Sequence, residues 1–243
     1  MTSAEFLPYE LALVMPVYNE GACISSVVRS WFNELLHNDI NFKMIILDDG
    51  SVDNTAAVLE QFKANPRIDI IRKENGGHGP TILKGYRFAA DIASWVFQTD
   101  SDDEIQSCHF SKLWAKRGSY DALFGVRRDR SQTISHRLIS KVSRWVIYSM
   151  LGTGVEDVNV PYRLIRGPLM REIIGSIPLN TFAPNIIISG ILAKKNLRIY
   201  NYPVPCEGRR TGRSSLINWK LFKYAFKSLL QTILYTRITM KKK

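Results

Sequence analysis

The sequence predicts an α/β fold built on a mostly parallel sheet flanked by helices, and three observations carry that prediction. Short apolar runs without clean alternation recur along the first half, as strands covered on both faces should read. Stretches with apolar residues at helical spacing separate them, which is the rhythm of βαβ units. Acidic clusters stand directly after two of the runs. Right-handed crossovers bring the carboxyl ends of parallel strands to one sheet edge, where open α/β sheets bind ligands.

The first run, LALVMPV (11–17), leads into Pro16-Val17-Tyr18-Asn19-Glu20-Gly21 and lacks the G-x-G-x-x-G of a dinucleotide-binding turn. A helix is expected over 21–36, then a second strand, KMIIL (43–47), ending in DDGSVDNT (48–55). Gly50 permits a sharp turn there, and Ser51 or Asp53 can cap a helix over 53–64. Capping alone explains Asp53 but not Asp48 beside Asp49, since adjacent carboxylates repel unless they meet hydroxyls, amides or a cation. IDII (68–71) is the third strand, and NGGHGPTILKG (75–85) opens a helix over 80–93 with Pro80 in its first turn. The glycines of that loop either let backbone approach a ligand or serve a plain turn. His78 has no partner at metal-ligand spacing and reads as a loop residue. SWVFQT (94–99) and DALFGV (121–126) complete the strands of the first half.

Beyond residue 126 the pattern changes. RRDRSQTISHRLISKVSRWVIYSMLG reads as a basic turn entering a long helix, and GTGVEDVNVPYRLI as a loop with an extended segment. Another helix is expected over 181–195, a strand at LRIYNYPV, and a basic loop rich in Gly and Ser at EGRRTGRSS. In the stretch 216–238, Lys220, Lys223, Lys227 and Gln231 share one helical stripe opposite a spread of apolar side chains. Such an amphipathic helix either lies in a membrane interface or packs on the domain. No linker separates a second domain, so 1–215 is read as one unit, with 1–105 and 106–215 as its halves and 216–243 as a basic C-terminal extension.

Formal charge is +11, from 33 Lys and Arg against 22 Asp and Glu, and the excess lies mainly beyond residue 110. The partner of the second half is therefore anionic: phosphate, nucleic acid or an acidic membrane surface. Three widely spaced cysteines, Cys23, Cys108 and Cys206, give neither a disulfide framework nor a thiolate metal cage, and a reducing compartment is expected. The N-terminus has no basic segment followed by an apolar stretch, and apolar stretches such as FAPNIIISGILA are too short to cross a hydrocarbon core of about 30 Å. A cytoplasmic protein without membrane spans is expected.

The segment QTDSDDE carries the strongest chemical signal. Asp100 and Asp102 alternate along an extended backbone and so project to one side, and a hard cation such as Mg²⁺ or Mn²⁺ takes carboxylate and phosphate oxygens. A diphosphate can complete the coordination shell.

VMPVYNE, DDGSVDNT, NGGHGPTILKG and the Asp100-Ser101-Asp102 element occur in an order that resembles the family-2 glycosyltransferases of GT-A fold, over about the first 105 residues. That resemblance implies a nucleotide-diphospho-sugar donor, linked to uridine or guanosine diphosphate, and inversion at the anomeric centre. It implies that Pro16, Tyr18, Glu20, Leu47 and Asp49 line the nucleoside pocket. Asp100, Ser101 and Asp102 would hold the diphosphate through the metal, with Glu104 able to join the shell. The second half is similar to the polyprenyl-phosphate branch of the family, which includes dolichyl-phosphate mannose synthase. The matching segments are GVRRDR (125–130), HRLIS (136–140), VEDVNVPYRL (155–164) and RRTGRS (209–214). By this similarity Arg127, Arg137, Ser140 and Arg209 would bind the acceptor phosphate. Glu104-Ile105 stands where Leu-Gln is more usual, and Val160-Pro161-Tyr162 where Ser-Gly-Phe is common.

The expected reaction is direct displacement at the anomeric carbon, with Asp102 and Arg127 in catalytic roles. A phosphate monoester with a second pKa of about 6 is already largely dianionic near neutrality and needs no strong base. Were the acceptor a hydroxyl of a glycan or lipid-linked saccharide, Asp157 would be the candidate base; its other reading is capping or a salt bridge to a neighbouring Arg. A noncatalytic basic module for membrane or nucleic acid is the remaining alternative, and it leaves the acidic edge without a purpose. Nucleic acid is thus disfavoured as a partner, and a peripheral position on the cytoplasmic face of an anionic membrane is expected.

Overall fold

A computed structural model describes residues 7–128, 154–195 and 197–206. Within them the chain forms β1 (Tyr9–Val17), α1 (Ile24–His37), β2 (Phe42–Asp48), α2 (Thr55–Glu60), β3 (Ile68–Arg72), α3 (His78–Ile92) and β4 (Ala93–Thr99). It continues through α4 (Phe110–Lys116), β5 (Ala122–Arg128), β6 (Tyr162–Arg166), α5 (Gly167–Ile174), α6 (Pro184–Lys194) and β7 (Ile199–Pro205). The seven strands make one sheet in the order β3-β2-β1-β4-β6-β5-β7. All neighbouring pairs are parallel except those of β6, which runs antiparallel to both β4 and β5. The expected α/β class with a mostly parallel sheet is therefore the observed one.

Near-continuous apolar strands make sense in this arrangement because helices cover both faces. On one face Trp31 of α1, Phe110 of α4, Phe97 of β4 and Tyr162 of β6 form an aromatic cluster with ring centroids 4.8 to 5.9 Å apart. On the other face α3 lies so close to β1 and β2 that a Cβ at Gly85 would come within 2.4 Å of Val14 Cγ1 and 2.8 Å of Leu47 Cδ1. Only a residue without a side chain permits that approach.

Alternation along β4 divides its side chains between the two faces. Phe97 joins the aromatic cluster, and Gln98 points the opposite way, toward Tyr86 of α3. Because β6 is reversed, its beginning, not its end, lies beside the carboxyl end of β4: Tyr162 pairs with Thr99. The segment leading into β6 is thereby delivered to the edge that carries the ends of β1, β2, β4 and β5.

Candidate active site

The two acidic clusters do meet at one edge, but they are satisfied differently. Asp48 and Asp49, at 1% and 4% exposure, are tied down by the protein itself. Asp48 Oδ1 accepts from the Ser51 amide at 2.9 Å, and Arg72 Nε lies 3.6 Å from its Oδ2. Asp49 accepts the amides of Gly76 and Gly77, each at 2.9 Å, and pairs with Lys73 Nζ. This carboxylate therefore pins the NGG turn to the end of β2. Gly50, with φ 71°, makes the tight corner, and a Cβ there would meet the Asn75 amide at 2.8 Å.

The loop after β1 is stitched to the same turn. Ser51 Oγ accepts the Asn19 amide at 3.0 Å, Thr55 Oγ1 that of Glu20 at 2.9 Å, and Asp53 Oδ2 that of Gly21 at 3.1 Å. Asp53 also accepts from the Thr55 amide at 2.9 Å, a cap-like contact at the start of α2, whereas Ser51 braces the β1 loop and caps nothing. Tyr18 stands 42% exposed over this rim. Pro16 and Leu47, partners in the β1–β2 register, are buried, and the Leu47 side chain belongs to the core under α3.

The second acidic cluster begins where β4 ends. Asp100 Oδ1 accepts from Gln98 Nε2 at 2.9 Å and lies 3.1 Å from His78 Nε2, which must carry the proton because a carboxylate only accepts. His78, expected to be an unengaged loop residue, is instead the first residue of α3 and a direct neighbour of this carboxylate. Crowding by surrounding protein works against protonating its imidazole, which is nonetheless 54% exposed, and the charges of Asp100, Asp102 and Asp49 raise the pKa above the ordinary histidine value. The extended alternation expected through Asp102 stops at Thr99; a bend follows, with Asp103 at φ 55°, and Asp102 Oδ1 accepts the Glu104 amide at 3.3 Å. Asp102 and Ser101 are 9% and 5% exposed.

Glu104 turns away to Cys206 beyond β7, whose Sγ lies 3.8 Å from its Oε2. Among the described residues no three His, Cys, Asp or Glu side chains gather as a metal cage. The two aspartates still fit a divalent cation of the Mg²⁺ or Mn²⁺ kind. They are hard oxygen donors at a rim, the two side-chain hydrogen bonds that Asp100 accepts among the described residues both use Oδ1, and such cations take few protein carboxylates when phosphate and water complete the shell.

On the other side of β4 stands a charged pair. Arg127, near the end of β5, donates from Nε and Nη2 to the two oxygens of Asp157 at 2.8 and 2.9 Å, with side-chain exposures of 13% and 17%. Burial pushes Asp157 up, but the hydrogen bonds and charge of Arg127 prevail and hold its pKa below the usual carboxylate value. The salt bridge read for Asp157 is thus formed. Arg127 is also within electrostatic reach of Cys206 and Glu104. Arg137, Ser140 and Arg209, expected at the acceptor phosphate, lie outside the described residues, as does the basic extension 216–243.

Arg163, which sequence reasoning passed over, lies beneath this pair. It is fully buried on β6 and donates to the carbonyls of Val158, Val160 and Asn185 at 2.9 to 3.2 Å. It therefore shapes the loop that presents Asp157. A lone Arg in a predicted extended segment was the available signal, but its partners lie in a different helix and loop.

Comparison with known proteins agrees with this geometry. The family model for glycosyl transferase family 2 matches residues 12–171, and the chain belongs to that family of glycosyltransferases. Among curated relatives it is 26% identical to the undecaprenyl-phosphate 4-deoxy-4-formamido-L-arabinose transferase of Enterobacter sp. (strain 638), over 98% of this chain and 69% of that protein. It is 24% identical to the protein of the same name from Pseudomonas savastanoi pv. phaseolicola, over 73% of this chain and 54% of that one. Against that second relative the chain thus spans about half the length. In shape it is similar to glucosyl-3-phosphoglycerate synthase from Mycobacterium tuberculosis, solved with Mn²⁺, uridine-diphosphate-glucose and phosphoglyceric acid. The TM-score is 0.68 at 17% identity, covering 93% of this chain and 79% of that one. The same enzyme with Mn²⁺, uridine diphosphate and glucosyl-3-phosphoglycerate gives a TM-score of 0.67 at 16% identity, covering 93% and 80%. These likenesses identify the fold as GT-A.

Proposed function

We propose that the protein moves a sugar from a nucleotide-diphospho-sugar to the phosphate of a membrane polyprenyl phosphate, with inversion at the anomeric carbon. The observation that carries this reading is the partly buried, two-pronged pair of Arg127 with Asp157. A carboxylate held low by an arginine is a poor general base, and a phosphate acceptor needs none. A hydroxyl acceptor would need one. The two named relatives are undecaprenyl-phosphate sugar transferases, which supports the same acceptor class.

In this mechanism Asp100 and Asp102 are the residues that would hold a divalent cation beside the donor diphosphate, while the rim made by Tyr18, Glu20 and the Asp49-pinned turn receives the nucleoside. A bound Mg²⁺ or Mn²⁺ would neutralise charge on the leaving diphosphate and act as a Lewis acid. Arg127, with Nη1 left outside its pair, orients the acceptor phosphate, joined by Arg137, Ser140 and Arg209. An acceptor phosphate oxygen attacks the anomeric carbon from the face opposite the leaving group. The bond to the donor's diphosphate oxygen breaks, its electron pair departs with the nucleoside diphosphate, and a sugar phosphodiester remains. Positioning and electrostatics supply the acceleration.

No helix among the described residues is long and apolar enough to cross a membrane. The basic extension 216–243 serves as a peripheral anchor on the cytoplasmic face of an anionic membrane, appended to a single glycosyltransferase domain over 1–215.

The decisive assay offers radiolabelled uridine- and guanosine-diphosphate sugars, with Mn²⁺ or Mg²⁺, to polyprenyl phosphate and to a lipid-linked saccharide. Metal-dependent transfer to polyprenyl phosphate, giving a product labile to mild acid, is the expected result. Transfer only to the saccharide, with an acid-stable product, would overturn the acceptor assignment.

A further inference from the structure

Gln98 is an amide at the last-but-one position of a core strand, fully buried, directly beneath the rim carboxylate of Asp100. Buried amides are costly unless every polar atom is met, and here each is. Gln98 Nε2 donates to Asp100 Oδ1 at 2.9 Å, and Gln98 Oε1 accepts from Asn185 Nδ2 at 3.0 Å. The hydroxyl of Tyr86 lies 2.8 Å from Asn185 Oδ1 and 3.2 Å from Gln98 Oε1, and donates its one proton to the nearer oxygen. Asn185 itself, at 2% exposure, offers its main-chain carbonyl to Arg163 Nη1 at 3.0 Å. Because Asp100 only accepts, Gln98 must present its nitrogen upward and its oxygen downward, which in turn fixes the orientation of Asn185. The chain of bonds has one self-consistent direction.

We propose that Gln98, clamped by Asn185 and Tyr86, is a positioning residue that selects which oxygen of Asp100 faces the cation. Gln98 and His78 both engage Oδ1, and among the described residues no hydrogen bond is made to Oδ2. Oδ2 is therefore the atom presented to a metal, with the carboxylate held against rotation from below. This inference rests on Asp100 being a metal-holding residue. It adds that the metal site's stiffness comes from α3 and α6 through a side chain that never touches substrate. Outer partners that orient a ligating carboxylate typically change metal affinity by about 10- to 100-fold when removed.

The test titrates Mn²⁺ against the full-length protein with saturating uridine or guanosine diphosphate, whichever with Mn²⁺ raises the parent's melting temperature, following free Mn²⁺ by electron paramagnetic resonance. Gln98→Met keeps the shape and removes both hydrogen bonds. It should weaken Mn²⁺ binding by about tenfold while leaving nucleotide binding without metal unchanged, and saturating Mn²⁺ should restore kcat. Tyr86→Phe, which deletes a single hydroxyl, is the second variant should Gln98→Met fail to fold, and it should weaken binding in the same direction by less. Parent-like Mn²⁺ binding in every folded variant, while Asp100→Asn loses it, overturns the positioning role and leaves the site reading intact. A parent that binds no Mn²⁺ with either nucleotide, or an Asp100→Asn variant that binds it normally, overturns both.

Discussion

Asp100 and Asp102 sit two positions apart and are held by different means, the first by side chains from α3 and β4, the second by the bend that follows the strand. If both hold the donor's cation, Asp102→Ala should lower metal-dependent transfer by roughly 100-fold or more, the scale on which groups that stabilise developing charge act. Circular dichroism of the variant should match the parent, and retained activity would remove Asp102 from the site. The Arg127 pair makes a second prediction. Asp157→Asn leaves a largely buried guanidinium without its counter-charge, a loss on the order of 3 kcal/mol near neutral pH, read from urea unfolding. Asp157 titrates below its unfolded value of 3.8 in the folded state, so its contribution is full above that pH and fades as pH falls through the lower folded value. The stability gap between parent and variant should accordingly narrow on acidification below about pH 4, and a constant gap would contradict the pairing. The aspartates were legible in the sequence because charge at the ends of apolar strands is unusual. His78, Gln98 and Asn185 were not, because their meaning lies in partners 22 and 87 positions away.

At the level of elements, α3 does the most to build the site. It is seated on β1 and β2 through Gly85 and carries His78 at its first turn and Tyr86 on its buried side. Gly85→Ala should cost about 1 to 3 kcal/mol, the usual penalty for overpacking a tight core, and an unchanged urea midpoint would show that the helix can lift without loss. Strands β1 to β5 and helices α1 to α3 were readable because apolar periodicity is a local property. The helices α4 and α5 escaped notice, being 7 and 8 residues long, about two turns each. The reversed direction of β6 was invisible for a different reason: polarity within a sheet is decided by pairing with distant strands, and YRLIR reads the same in either sense.

For the whole molecule, charge is the governing quantity. With a net +11, weighted toward the second half, the protein should associate with anionic vesicles, and removal of 216–243 should reduce that sedimentation and its sensitivity to salt. Undiminished binding by the truncated chain would assign the attraction to the domain itself. A thermal-shift panel of nucleoside diphosphates should show stabilisation that requires Mn²⁺ or Mg²⁺, since a ligand that binds only the folded state raises apparent stability. No response to any of them would leave the acidic rim without its donor.

The backward course of β6 brings two distant points of the chain to one rim. Because β5 ends and β6 begins on the same rim, Arg128 and Tyr162 are two fixed points on one edge of the sheet. Exchanging the residues between those two points for those of a relative should therefore leave the pairing of β1 to β4 undisturbed.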